Sequence, residues 1–204
     1  MPSADLGAAT PDGRAAVTIE TVLDAALTLF AERGYHGTAL SEIAEALGIR
    51  TPSLYNHMQS KQQLLETIVR RTLDDVLVDF ETAVAGLDDP VEQLRSATRV
   101  YALRHATHRR EALVVNRDTT SLPEPQLTTM RERRRDHERA IRTIITQGAE
   151  RGQFNVGNAG LASFAILEMS VSIARWFRED GPLTAEQVAD EYADFALRIV
   201  RYRP

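Results

Sequence analysis

The chain has 204 residues, 43% of them apolar, enough for one substantial buried core. It holds no run of 18 apolar residues, no basic end followed by an apolar stretch, and no cysteine. A cytoplasmic protein without disulfides, thiolate metal sites or cysteine nucleophiles is expected. The net charge of −5, from 24 basic and 29 acidic side chains, argues at face value against phosphate binding, although Lys61 is the single lysine among arginines.

Residues 1–16 are small, polar and rich in Pro and Gly, and read as a disordered arm. From Thr18 the apolar residues Ile19, Val22, Leu23, Ala26, Leu29 and Phe30 recur at helical spacing, and Gly34 closes the first helix. A second, shorter helix follows Thr38, carries Ile43, Ala44 and Leu47, and ends at Gly48. Thr51 and Pro52 open a third, expected to run to about Met58. Ser60 to Gln63 reads as a capping box for a long fourth helix reaching Gly86. Asp89-Pro90 starts a fifth helix that ends near His105 to His108, and a short sixth spans Glu111 to about Asp118. A charged seventh runs from the Pro123/Pro125 break to Arg151-Gly152, an apolar eighth from Ala159 to Glu179, and a ninth follows Thr184.

No segment alternates with period two over a strand's length, so the fold is expected to be all-α with about nine helices. The eighth helix is apolar on more than one face. A symmetric homodimer through the last two helices would cover the second face as a four-helix bundle; burial of both faces within one chain is the alternative.

The segment from Thr38 to Lys61 carries the sharpest functional signal. It reads as a short helix, a Gly-marked turn and a second short helix whose inward positions are Leu54 and Met58. Outward stand Ser53, Asn56 and His57, with Arg50 and Thr51 at the tip, all able to reach base edges or phosphates. Asn pairs bidentately with adenine and Arg with guanine, while helix N-termini add phosphate affinity without net positive charge. This matters because residues 1–61 hold four basic against seven acidic side chains. Modest non-specific affinity follows, with specificity coming from a few placed donors.

Four stretches, Phe30 to Thr38, Ile43 to Ile49, Ser53 to Met58 and Ser60-Lys61, stand at the spacing of the tetracycline-repressor (TetR) family of bacterial transcriptional regulators, which this sequence resembles over about 45 residues. Trp176 to Thr184, leading into a final helix, is similar to the C-terminal portion of many members. The resemblance implies a homodimer on a palindromic double-stranded DNA operator, with residues 17–61 as the DNA-binding domain and 62–204 holding a small-molecule effector and the dimer contact. It implies a phosphate contact at Thr38, contacts to backbone and bases at Tyr55 and His57, and a phosphate anchor at Lys61. The full DNA-binding set is Thr38, Arg50, Thr51, Pro52, Ser53, Tyr55, Asn56, His57 and Lys61. Arg50 stands where many members have Ser or Thr, and Met58 where they have Phe.

The effector pocket is expected among the fourth, fifth, seventh and eighth helices, with Tyr101, His105, Met169 and Trp176 as candidate lining; Trp176 reads first as an interface or core aromatic and second as part of the pocket wall. An amphipathic anion such as an acyl-coenzyme A fits an apolar eighth helix beside an Arg-rich seventh, and some members with a similar C-terminal end recognise one. Met130 to Arg139, with five Arg against three acids, reads as a solvated helix face, or alternatively as a second nucleic-acid patch or a dock for an anionic effector. His105 and His108 have zinc-compatible spacing without a further ligand. No metal, cofactor, membrane contact or enzymatic activity is expected, because no catalytic or phosphate-loop motif occurs.

Overall fold

The computed structural model describes residues 16–202, and among them every regular element is a helix, without strands. The expected arm, residues 1–16, lies almost wholly outside that range. The helices are α1 (Ile19–Arg33), α2 (Leu40–Ala46), α3 (Thr51–Leu54), α4 (Lys61–Val84), α5 (Pro90–Thr107), α6 (Arg109–Asp118), α7 (Gln126–Glu150), α8 (Ala159–Trp176) and α9 (Ala185–Ile199), with a 3₁₀ turn at Thr119–Ser121. Two compact units divide at Leu64/Leu65, and α4 begins in the first and continues into the second.

In the first unit, the Thr18 side chain accepts the Thr21 N–H, and the Thr21 hydroxyl accepts the Thr18 N–H, closing the α1 N-terminus reciprocally. The face so started buries Val22, Ala26 and Phe30 completely. The end of α2 shows why Gly48 is needed: its N–H bonds Glu45 O at 2.9 Å, and the Ile49 N–H reaches back to Ala44 O at 3.0 Å. This six-to-one closure requires the left-handed conformation, and Gly48 supplies it at φ 66°. Beyond it, α3 is shorter than the sequence suggests. Regular helix ends at Leu54, and the chain continues to His57 through tight i to i+3 bonds. Leu54 and Met58 still point inward, 0% and 4% exposed.

The second unit is organised around α5, which packs against α7, α8 and α9. Its main core joins Leu94, Ala97, Ile141, Ile145, Ile166 and Ala196. A smaller cluster joins Ala102, Ala106, Ile173, Phe177, Val188 and Ala189. That cluster explains why α8 stops at Trp176 rather than Glu179: Phe177 turns extended (ψ 140°) and places its ring, 4% exposed, among α5 and α9. The α5/α6 boundary is likewise sharper than expected, a break at His108 with α6 resuming at Arg109. Exposed ion pairs Arg95 to Asp194 (2.5 Å) and Arg99 to Asp190 (2.6 Å) fasten α5 to α9, each contributing ~0.2–1 kcal/mol.

Candidate nucleic-acid interface and ligand cavity

The turn-and-helix segment presents one polar face. Arg50, Pro52, Tyr55 and Asn56 are exposed, and Thr51, Ser53 and His57 are half-buried beside the inward Leu54 and Met58. Tyr55 is 57% exposed, although tyrosine rings ordinarily pack. A short helix with an apolar underside and a row of amide, hydroxyl, imidazole and guanidinium groups on top is a surface for reading groove edges and phosphates.

Two residues of the DNA-binding set are placed otherwise. Thr38 is 2% exposed, and its hydroxyl donates to Gly34 O at 2.9 Å and Leu29 O at 3.2 Å. The phosphate contact implied by the resemblance is therefore not available to this side chain; it locks the α1–α2 turn instead. Lys61 faces the same turn. Its ammonium donates to Tyr35 O and Thr38 O, both at 2.8 Å, and lies 4.3 Å above the Tyr35 ring. Two of its three protons are thus committed inward, which fixes the start of α4 to the α1–α2 loop. At the start of α2, the Ala39 N–H bond, reinforced by the Arg33 guanidinium, holds the Glu42 carboxyl below the usual range.

In the second unit a cavity of about 210 Å³ opens among α4, α5, α6, α7 and α8. Thr72 and Val76 come from α4, Tyr101, Arg104 and His105 from α5, and Val115 and Asn116 from α6. Arg133, Arg134 and His137 come from α7, and Phe164, Leu167, Glu168 and Val171 from α8. Of the expected lining, Tyr101 and His105 are there, but Met169 and Trp176 are not. Met169 packs onto the main core. Trp176 stands 47% exposed at the end of α8, its ring 6.4 Å from that of Tyr192. The helical period rotates both away from the face carrying Leu167 and Val171.

The cavity's polar groups are unevenly partnered. Arg104, 10% exposed, clamps Asp79 (2.5 Å) and Asp75 (2.9 Å) on α4. Arg133 pairs with Asp74, and Arg134 donates to Asn116 Oδ1 at 3.2 Å. Ser163 and Arg142 satisfy the buried Glu138. Tyr101 lies between two imidazoles, its ring centroid 4.4 Å from His105 and 4.9 Å from His137. Burial drives both histidines down to about 4 and pushes the Tyr101 phenol up to about 12, so all three are neutral at physiological pH. Of the zinc-spaced pair, His105 Nδ1 meets Tyr101 O at 2.8 Å and His108 Nδ1 the Thr107 hydroxyl at 2.9 Å. No group of three or more metal-competent side chains occurs among the described residues. His137 and the α7 arginines are absent from the expected lining; their signal was the spacing Met130, Arg134, His137, Ile141, which keeps one helical edge through the charged run.

A helix-turn-helix unit followed in the chain by a helical unit with its own cavity defines a DNA-binding regulator with a built-in ligand chamber. Residues 22–68 match the family model "Bacterial regulatory proteins, tetR family", and residues 87–200 match "Tetracyclin repressor-like, C-terminal domain". The HTH-type transcriptional repressor KstR2 of Rhodococcus jostii is 30% identical over 178 residues, covering 86% of this chain and 87% of that protein. The structure of the ketosteroid transcriptional regulator KstR2 of Mycobacterium tuberculosis superposes with a TM-score of 0.86 at 25% identity, over 94% of this chain and 98% of that one. AibR, solved in complex with isovaleryl coenzyme A and operator DNA, gives 0.81 at 26% identity, over 91% and 99%. The chain belongs to the TetR family and is a ligand-responsive, DNA-binding transcriptional regulator. No helix among the described residues is long and apolar enough to cross a membrane.

Proposed function

We propose that the protein is a cytoplasmic repressor, without enzymatic activity, that binds a palindromic operator as a homodimer and releases it when a small molecule fills the cavity. Residues 17–61 serve as the DNA-binding domain and 62–204 as the effector-binding and dimerisation domain. The observation that carries the reading is the exposed polar face of α3 and its flanks, above Leu54 and Met58. Arg50 and Asn56 read base edges, Tyr55 and His57 touch backbone and bases, and Thr51, Pro52 and Ser53 line the contact. Thr38 and Lys61 act by holding the turn, with one Lys61 proton left for phosphate.

The second copy covers the apolar face of α8 and α9, where Leu161 (69%), Phe164 (56%) and Phe195 (38%) stand exposed. The proposed effector is an acyl-coenzyme A. Apolar walls suit an acyl chain, and arginines suit phosphates. At about 210 Å³ the cavity is smaller than the ~300–1,000 Å³ of sites enclosing drug-sized ligands, so it takes the acyl end and leaves the nucleotide outside. Because α4 contributes both Lys61 and the cavity residues Thr72 and Val76, occupancy has a continuous helix through which to alter operator affinity.

Selection of bound duplexes from a random pool tests the reading. A palindrome bound by two chains, and released on adding isovaleryl or longer acyl-coenzyme A, is the expected outcome. Enrichment of no sequence, or of an asymmetric one bound by a single chain, refutes it.

A further inference from the structure

His137 is anomalous in the cavity wall. It is 7% exposed, and neither ring nitrogen has a hydrogen-bond partner. Buried side-chain polar atoms are paired in the large majority of cases. Its polar neighbours on α7 are engaged elsewhere: Arg133 with Asp74, Arg134 with Asn116, Glu138 with Ser163 and Arg142. The imidazole packs against two rings, edge-on to Phe80 at 5.4 Å and tilted on Tyr101 at 4.9 Å. A side chain so fixed, so buried and facing a cavity has hydrogen-bonding capacity that the protein itself does not use.

His105, across the Tyr101 ring, differs. Its Nδ1 faces the Tyr101 carbonyl at 2.8 Å; a carbonyl only accepts, so Nδ1 carries the proton and Nε2 is a bare acceptor. One imidazole is tied to the backbone and the other is uncommitted.

We propose that His137 is the specificity-determining residue of the cavity, its ring N–H donating to an uncharged oxygen, carbonyl or hydroxyl, on the buried part of the effector. This rests on the reading of the cavity as the effector site. An oxygen of this kind satisfies a neutral imidazole as it stands, whereas a carboxylate would be drawn to the arginines of the wall rather than to an uncharged ring. A plain hydrocarbon would leave the orphan nitrogens as they are. An acyl thioester supplies such an oxygen at its carbonyl, and a hydroxyacyl or oxoacyl chain supplies a second.

The test uses the full-length protein, isovaleryl-coenzyme A and a panel of acyl, 3-hydroxyacyl and 3-oxoacyl coenzyme A thioesters, read by calorimetric affinity and thermal melting. His137→Leu removes the donor while keeping bulk; His137→Gln keeps an N–H. The expected result is that the wild-type chain binds at least one thioester, His137→Leu binds it about tenfold more weakly, and His137→Gln stays within about threefold. Without ligand, His137→Leu melts about 2–4 °C higher, because an unpaired polar group has been removed from the interior. Equal affinity of His137→Leu and wild type overturns the proposal, and so does a lower ligand-free melting temperature in both variants, which would make the ring a packing element. Failure of every thioester to bind the wild type sinks the acyl-coenzyme A reading instead. The ligand-free melts then decide His137: a rise for Leu keeps the proposal, a fall overturns it.

Discussion

The Lys61 ammonium holds two carbonyls of the α1–α2 turn and covers the Tyr35 ring, so its removal acts on the head before it acts on DNA. Lys61→Ala is expected to lower stability by about 1–3 kcal/mol, since bonds to a charged donor are worth more than neutral ones but this one is partly solvated. Operator and scrambled duplexes should lose affinity by the same factor. Asn56→Ala should instead relax preference at one base pair per half-site by ~1–3 kcal/mol. Gel-shift titrations of both variants on matched duplexes separate the roles; a sequence-dependent loss for Lys61→Ala would make it a reader. The two cavity histidines give a second residue-scale outcome. With folded values of about 4 against an ordinary 6.5, the unfolded chain binds more protons than the folded one between those limits. Stability therefore rises with pH across that window and is lost as pH falls from ~6.5 toward ~4, by up to roughly 3 kcal/mol per histidine. His137→Leu should flatten this slope in melts taken between pH 7 and pH 5; an unchanged slope would mean the imidazole titrates normally.

At the scale of elements, α7 shows how a single small residue lets the chain beyond a helix pack back onto its last turn. A Cβ at Gly148 would fall 2.2 Å from the Phe154 ring, which is 5% exposed in the main core. Gly148→Ala gains helix propensity but must expel or tilt that ring, so a net loss of about 1–3 kcal/mol is expected, read as a lower melting temperature. A neutral or stabilising result would mean Phe154 swings aside freely. The elements most legible in the sequence were those whose caps and apolar period agree, such as Thr18 with α1, Asp89-Pro90 with α5, and Thr184 with Gln187 on α9. Less legible was anything decided by a tertiary partner. The end of α8 depends on where the Phe177 ring finds a pocket, and Thr38 was read as a surface contact because its family position, not its burial, was visible. His137 hid inside a run of arginines, where charge suggested solvent while spacing placed it on the inner edge. Met169 and Trp176 failed as cavity residues for the converse reason: α8 is apolar nearly all round, so composition could not say which stripe faced the chamber.

For the whole molecule, a net charge of −5, with four basic against seven acidic residues in the first 61, makes electrostatic attraction to DNA weak. A single head offers one short face around α3, so tight binding requires two heads acting together. The proposed dimer provides this: once one head is seated, the second binds from an effective concentration set by the protein itself, a gain of ~10²–10⁴ in affinity with no new contact. The face available for it is the exposed stripe of Leu161 and Phe164 on α8 and Phe195 on α9. Leu161, the most exposed of these, does not line the cavity, so changing it leaves the chamber wall intact. Leu161→Glu combined with Phe195→Glu would bury like charges about a two-fold axis and should yield monomers in sedimentation experiments. Operator affinity should then fall by at least about a hundredfold, while affinity for an isolated half-site stays near the wild-type value. If the doubly substituted chain still sediments as a dimer, the contact lies elsewhere; if it is monomeric yet holds the full operator as tightly as before, the two-headed account of binding is wrong.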